Sequence, residues 1–304
     1  LPLGLLLAFF TIGSMVEASD SWRAPFFIAA VPGLVLALFI FLIREPQRGA
    51  AEAVQVSQAP VQQPMRKVLA IRTFWWLVLA GLAFNFATYA CNAFMVPLLM
   101  RYHAVPLVEA SVATGVIVGF TGLIGLTLGG WIADRIHQRF ARGRLIFAAL
   151  SMLVATLATG YALLAGRIEV GVFVAVFSVG WLFSYNFYTC VYTAIQDVVE
   201  PRLRATAMAL FFAGLYLLGG GMGTVVVGLL SDHFAEAAML AAGAAQMSET
   251  FRAEGLHGAM YLIPASLLLT MLFLFQASRT FCADARRMTA GMAEDGAAGE
   301  AVPA

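Results

Sequence analysis

Eight times along the chain, an almost charge-free apolar run recurs: 1–16, 24–43, 74–99, 108–133, 145–166, 170–196, 204–231 and 256–277. This pattern constrains the fold more than any single motif. Inside a bilayer only helices and closed barrels satisfy every main-chain group. A spanning helix needs about 20 residues, whereas a barrel strand needs only about 10. The run lengths select helices. Composition agrees: 61% of residues are hydrophobic and 12% charged, and the mean hydropathy is +0.86. A soluble domain carries roughly twice that charge. The expected class is an all-α membrane protein with one partial helix (1–16) and seven full ones. The chain opens Leu-Pro-Leu-Gly, and its short first run lacks the positive segment of a signal peptide. The start is therefore expected to lie inside a helix of a longer protein.

Charge sets the orientation. If the loops are numbered alternately, 14 Lys and Arg fall on one side and 4 (Arg23, Arg101, Arg167, Arg252) on the other. The richer side is expected to be cytoplasmic. It holds the stretch 44–73, rich in Gln, Ala, Pro and charge, which reads as a linker. Two helices (1–43) precede this linker and six (74–279) follow it. The tail 280–304 turns small and acidic and is expected to be disordered and cytoplasmic. Residues 233–255 read as an external loop with a short surface helix. A net charge of +1 gives no reason to expect a nucleic-acid partner.

Two stretches echo one another. "GSMVEASD" ends the first run and "GLLSD" the penultimate one, each followed by one further helix. A parallel repeat of two six-helix halves has this form.

The stretch "GGWIADRIHQRFARGR" (129–144) places an acid, four arginines and a histidine directly after an uncharged helix. With six helices following a cytoplasmic linker, it resembles the major facilitator superfamily. That family's signature runs Gly, three residues, Asp, Arg, then Gly and basic residues. Gly130, Asp134, Arg135 and Arg139 fall on it. His137 stands where Gly is usual, and Phe140 where a second basic residue is common. "WRAPFFIAAVPGLVLALFIFLIREPQRG", "AIQDVVEPRLRATAMAL" and "GLLSD" resemble further parts of the family. "REPQRG" and "DVVEPRLRATA" look most like its spinster-like lipid transporters and their bacterial relatives. The resemblance covers residues 1–280. It implies helices 5–12 of a twelve-helix fold, lacking helices 1–4. It also implies a substrate cavity between two halves that rock against each other.

The residues offer neutral chemistry. No acid or base sits near the middle of a full helix. An intramembrane charge would signal ion coupling, so the residue coupling to H+ or Na+, if there is one, is expected outside this chain. Asn85, Tyr89 and Asn92 share a stripe within about 60° on the helix 74–99. Such a stripe lines a cavity or forms interhelical hydrogen bonds. Trp181, Tyr185, Tyr188 and Tyr192 share another on the helix 170–196. They span about 16 Å along the axis, too far for an interface belt at one depth. A cavity wall for an amphipathic organic solute and plain core packing both remain open. Asn186 points elsewhere and is expected to pack between helices.

Gly115, Gly119, Gly125 and Gly129 on one helix, and Gly219 and Gly223 on another, allow close helix approach, static or mobile. Arg135 or Arg139 is expected to meet Asp197 or Glu200, with Asp134 at the N-terminal end of a neighbouring helix, the truncated first one. This cluster would latch the two halves together.

No HExxH, GxSxG or phosphate-loop motif is present. Three cysteines without CxxC spacing give no metal or disulfide reading, and the four histidines are expected in loops. No cofactor or metal is expected, and no enzymatic activity. The expected function is secondary active transport of a small organic solute, lipid-like or an organic anion, across a bacterial inner membrane. Drug or metabolite efflux and a non-transporting receptor or scaffold are the alternatives.

Overall fold

A computed structural model describes residues 2–42 and 63–300, with main chain alone for 291–300. Among the described residues every regular element is helical. Seven helices are long and apolar enough to cross a membrane. The chain is a multi-pass integral membrane protein.

The first two helices form a hairpin. α1 (Pro2–Ser19) stops where Asp20 turns left-handed at φ 48°. α2 (Ala24–Ile40) has 17 residues, fewer than the sequence pattern suggested. Its side chains are mostly exposed, as a surface turned toward lipid or another protein would be. Residues 43–62, including the "REPQRG" run and most of the linker, lie outside the described residues. A short helix, α3 (Pro64–Leu69), leads into the bundle.

Six spans follow. α4 covers Arg72–Tyr102. The second span, Leu107–Arg139, joins α5 (Leu107–Gly115), a π-helical turn (Val116–Phe120) and α6 (Thr121–Arg139). α7 is Gly143–Leu164. The fourth, Val170–Val198, divides at Tyr185 into α8 (Val170–Ser184) and α9 (Asn186–Val198). The fifth begins with a 3-10 turn, Pro201–Leu203. It continues as α10 (Arg204–Ala213), a second π segment (Gly214–Gly220) and α11 (Gly221–Ala241). The last joins α12 (Glu249–Met260) to α13 (Leu262–Glu300).

Three expectations change here. The stretch 233–255 is mostly helix: α11 runs nine residues beyond Asp232 to Ala241, and α12 begins at Glu249. The connection is closed by Gly243 at φ 64°, where Ala244 N–H donates to the Met239 carbonyl at 3.1 Å. This is the left-handed cap that ends many helices. Because α11 does not stop at "LLSD", the echo with the end of α1 is one of sequence only. The tail also differs. α13 continues unbroken to Glu300, and Asp284 is buried against α4. Its carboxylate accepts from Thr73 N–H at 2.8 Å and Thr73 Oγ1 at 2.7 Å. A carboxylate there satisfies an orphan amide and meets the positive end of the helix dipole. Finally, three of the four histidines lie in helices: His137 in α6, His233 in α11 and His257 in α12.

The core lies among α4, α7, α8, α9 and α13, with Phe84, Phe177 and Phe187 fully enclosed. Glycines set the closest crossings. A methyl group on Gly219 would meet the Leu82 carbonyl at 2.6 Å, and one on Gly223 the Phe86 carbonyl at 2.6 Å. This four-residue spacing on both helices places α4 and the fifth span side by side in parallel. Gly119 likewise abuts Leu6 of α1, and Gly115 abuts Phe10. Gly125 and Gly129 face the fourth span, at Leu182 and Asn186.

Candidate functional site

One candidate site is an aromatic wall. Phe84 of α4 stacks on Phe187 with ring centroids 4.1 Å apart, and Tyr188 meets Phe84 edge-on at 5.2 Å. From Tyr188 the series continues to Tyr192 (5.7 Å) and Phe212 (5.5 Å). It then reaches Tyr216 (5.8 Å) and returns to Tyr89 on α4 (6.5 Å). Three spans contribute to one band. Tyr89 and Tyr216 keep 39% and 47% of their surface exposed, so the band is open at that end. Such a band presents flat apolar faces with phenol hydroxyls and no fixed charge.

The seven residues expected to line a cavity therefore divide. Tyr89, Tyr188 and Tyr192 stand in the wall, and Asn92 lies half-buried on the same helix as Tyr89. Asn85, Trp181 and Tyr185 are buried in packing. A stripe about 60° wide covers both the packed and the open edge of a helix, and this division follows from that width. Phe212 and Tyr216 escaped the sequence reading. Their four-residue spacing puts them on one helix face, but nothing in the sequence pairs that face with α4 or α9.

Asn85 and Tyr185 have matching roles. The Asn85 amide donates to the Leu215 carbonyl at 2.7 Å, and the Tyr185 hydroxyl donates to the Val118 carbonyl. Both acceptors lie in π segments. A π turn bonds i to i+5 and disturbs the usual ladder, where an added donor helps satisfy main-chain carbonyls in a membrane. Each segment receives one from a neighbouring span. The relation runs from first span to fifth, and from fourth to second. Exchanging spans 1–3 with spans 4–6 maps one bond onto the other, as a nested three-plus-three repeat would. Asn186 packs between helices as expected, donating to Ser151 Oγ at 2.9 Å.

The second candidate site lies at the basic end. Arg144, in the first turn of α7, donates to Asp197 Oδ2 at 3.0 Å and to Asp134 Oδ1 at 2.9 Å. It ties α6, α7 and α9 together. The sequence pointed instead to Arg135 or Arg139 as the partner. Arg135 lies over the Trp131 ring at 4.1 Å. Among the described residues Arg139 has no ion pair with Asp197 or Glu200. Asp134 meets α7, not the end of α1, and the cluster is internal to the six-span bundle. Arg144 is the most buried of the four arginines, and burial, which adjacency in sequence does not reveal, selected it. Gly130 supports this corner, with Thr189 Cγ2 3.7 Å from where a methyl would stand. Glu200 instead borders a cavity of about 380 Å³ with Lys67, Asp284 and Arg287.

At the opposite end His257 stacks on Tyr102, with centroids 4.1 Å apart. His257 Nε2 lies 3.0 Å from the Leu163 carbonyl, which also accepts from the Tyr261 hydroxyl at 3.2 Å. His103, in the turn beyond α4, packs on Phe173. Burial, and then the nearby His257 and Arg167, hold its imidazole pKa below the usual value.

Six bundled spans, a charged corner between the second and third, and an open band of uncharged aromatics characterise a membrane carrier fold. The family model described as Major Facilitator Superfamily matches residues 1–224, and the chain belongs to that superfamily. Its relatives include an MFS-type efflux pump of Mycolicibacterium smegmatis, 29% identical over 74% of this chain and 51% of that protein. Protein spinster homolog 3 of Danio rerio is 26% identical over 78% of this chain and 50% of that protein. A bacterial homolog of the human lysosomal transporter spinster, in an inward-facing and unoccupied conformation, has the same fold. It matches with a TM-score of 0.74 at 24% identity, over 93% of this chain and 69% of that one. The chain spans about half the length of these first two relatives.

Proposed function

We propose that the whole protein is a secondary transporter that moves a small amphipathic organic solute by alternating access. The observation that carries this reading is the open aromatic band from Tyr188 through Tyr192, Phe212 and Tyr216 to Tyr89. Flat apolar faces with a few hydroxyls suit a lipid-like molecule or an aromatic anion better than a strongly hydrated sugar. Relatives named as spinster proteins and as an efflux pump support the same class. In this reading Tyr89, Tyr188, Tyr192 and Asn92 contact solute, and Asn85 and Tyr185 hold the helices that carry them.

The basic end faces the cytoplasm of a bacterial inner membrane, in line with the 14-to-4 bias of Lys and Arg. An H+ or Na+ gradient drives the cycle. The six spans from α4 to α13 rock as a unit, with Arg144 keeping their basic end rigid.

Flux measured with the full-length protein in proteoliposomes tests this. A lipid-like or aromatic solute should be carried against its gradient. Tyr89→Ala and Tyr216→Ala should raise the half-saturating concentration. Absence of flux for every solute and ion tried would sink the reading, and unchanged saturation in both variants would remove the band from the solute path.

A further inference from the structure

The four arginines around the α6–α7 connection meet different fates. Arg144 is held between two carboxylates and Arg135 is stacked on Trp131. Arg139 and Arg142 are exposed, and neither has an acidic partner among the described residues. Arg142 lines a groove of about 330 Å³ between the end of α6 and the start of α7. Its six other lining residues are apolar or glycine: Ile136, Phe140, Gly143, Ile146, Phe147 and Leu150. The groove therefore has one cation and otherwise hydrocarbon.

Its direction matters. Leu150, Leu157 and Leu164 are 58%, 64% and 74% exposed, and their seven-residue spacing marks one face of α7. This exposed, uncharged face has the character of a lipid-facing surface, and the groove reaches it at Leu150. From Gly143 to Leu150 the helix rises about 10 Å. The groove thus begins at the charged rim of the membrane and runs inward along its acyl region.

A molecule fitting this shape has an anionic head and a long apolar tail. We propose that the groove binds one anionic phospholipid, its phosphate at Arg142 and one acyl chain along Ile146, Phe147 and Leu150. The anionic leaflet surface attracts such cations, and each arginine near it is worth about a five-fold gain in binding. A bound lipid here would rest against the hairpin that carries Asp134 and Arg144. This inference does not depend on the proposed transport activity.

The test uses the purified full chain in detergent, mixed with equal amounts of dioleoyl phosphatidylglycerol and dioleoyl phosphatidylcholine. Native mass spectrometry counts the lipid retained. One phosphatidylglycerol should be kept in preference to phosphatidylcholine. Arg142→Ala should lower its retention about five-fold, and Arg142→Lys should preserve it. Leu150→Trp, which fills the groove from its open side and leaves the charge in place, should also lower it. Equal retention of the two lipids would overturn the proposal, as would unchanged retention in both Arg142→Ala and Leu150→Trp. Displacement of the lipid by soluble glycerol phosphate at similar concentration would identify a simple anion site and reject the groove.

Discussion

Asn85 donates its side-chain amide to the carbonyl of Leu215, 130 residues later, at 2.7 Å. That carbonyl lies in a π segment, and the bond stands at the parallel crossing set by Gly219 and Gly223. Asn85→Leu keeps the volume and removes the donor. It should cost about 1 kcal/mol, in the upper part of the range for interhelical bonds in membranes. Tyr185→Phe should cost a similar amount at the other π segment. The two sites share no helix pair, so the double variant should be additive within about 0.5 kcal/mol. Unfolding in mixed micelles measures all three. A clearly non-additive double variant would show the two π segments to be coupled through the bundle.

Arg144 should dominate its corner. Its side chain is 11% exposed, that of Asp197 36% and that of Asp134 66%. Solvent screens the exposed partner most. Arg144→Met should therefore destabilise by about 2 kcal/mol, chiefly by leaving Asp197 poorly paired. Arg139→Met should stay within about 0.5 kcal/mol. Double-mutant cycles on the unfolding free energy should give stronger coupling of Arg144 to Asp197 than to Asp134. The reverse order would mean that the Asp134 contact is the structural one.

Asp284 tests the tail. Removing its cap on Thr73 by Asp284→Ala should cost about 1–2 kcal/mol. Truncation after Phe281 should lower the melting temperature at least as much. Limited proteolysis should cut later than residue 284 in the wild-type chain and earlier in the variant. A disordered tail would show neither effect.

His103 gives a pH dependence. Its folded-state pKa lies below the ordinary value near 6.5, first through burial and then through His257 and Arg167. The unfolded chain then binds more protons in mildly acidic solution. Stability should be steady above pH of about 7 and fall as the pH drops through about 6.5 and below. His103→Gln should flatten that fall. Thermal melts between pH 7.5 and 5 measure it, and an unchanged acid slope would show that His103 does not set it.

Hydropathy made the spans readable, because each run has to cross hydrocarbon unaided. The glycine crossings were readable too, since Gly219 and Gly223 can only mean close approach or weakness. Arg144 was not, because four arginines in one loop look alike until burial separates them. Nor was Asp284, whose carboxylate sits in a polar stretch with no hydropathy signal, and whose partner Thr73 is 211 residues away. The aromatic wall was half legible. Tyr188 and Tyr192 fit one helical stripe, but Phe212 and Tyr216 lie on the far side of a chain reversal that periodicity cannot bridge.

The π segments have one more effect. Each holds a residue more per turn than the α-helix around it. Residues before and after it are thus out of phase by roughly one position, or about 100°. Phe212 can face Tyr192 of α9 while Gly219 and Gly223, on the same rod, face α4. A single helical wheel drawn through 204–241 would put these residues in the wrong quadrants. Deleting one residue from Gly214–Gly220 would restore an ordinary ladder and turn everything after it, carrying the glycines away from Leu82 and Phe86. The irregularity is in this sense a phase shifter, which lets one rod show two differently oriented faces along its length.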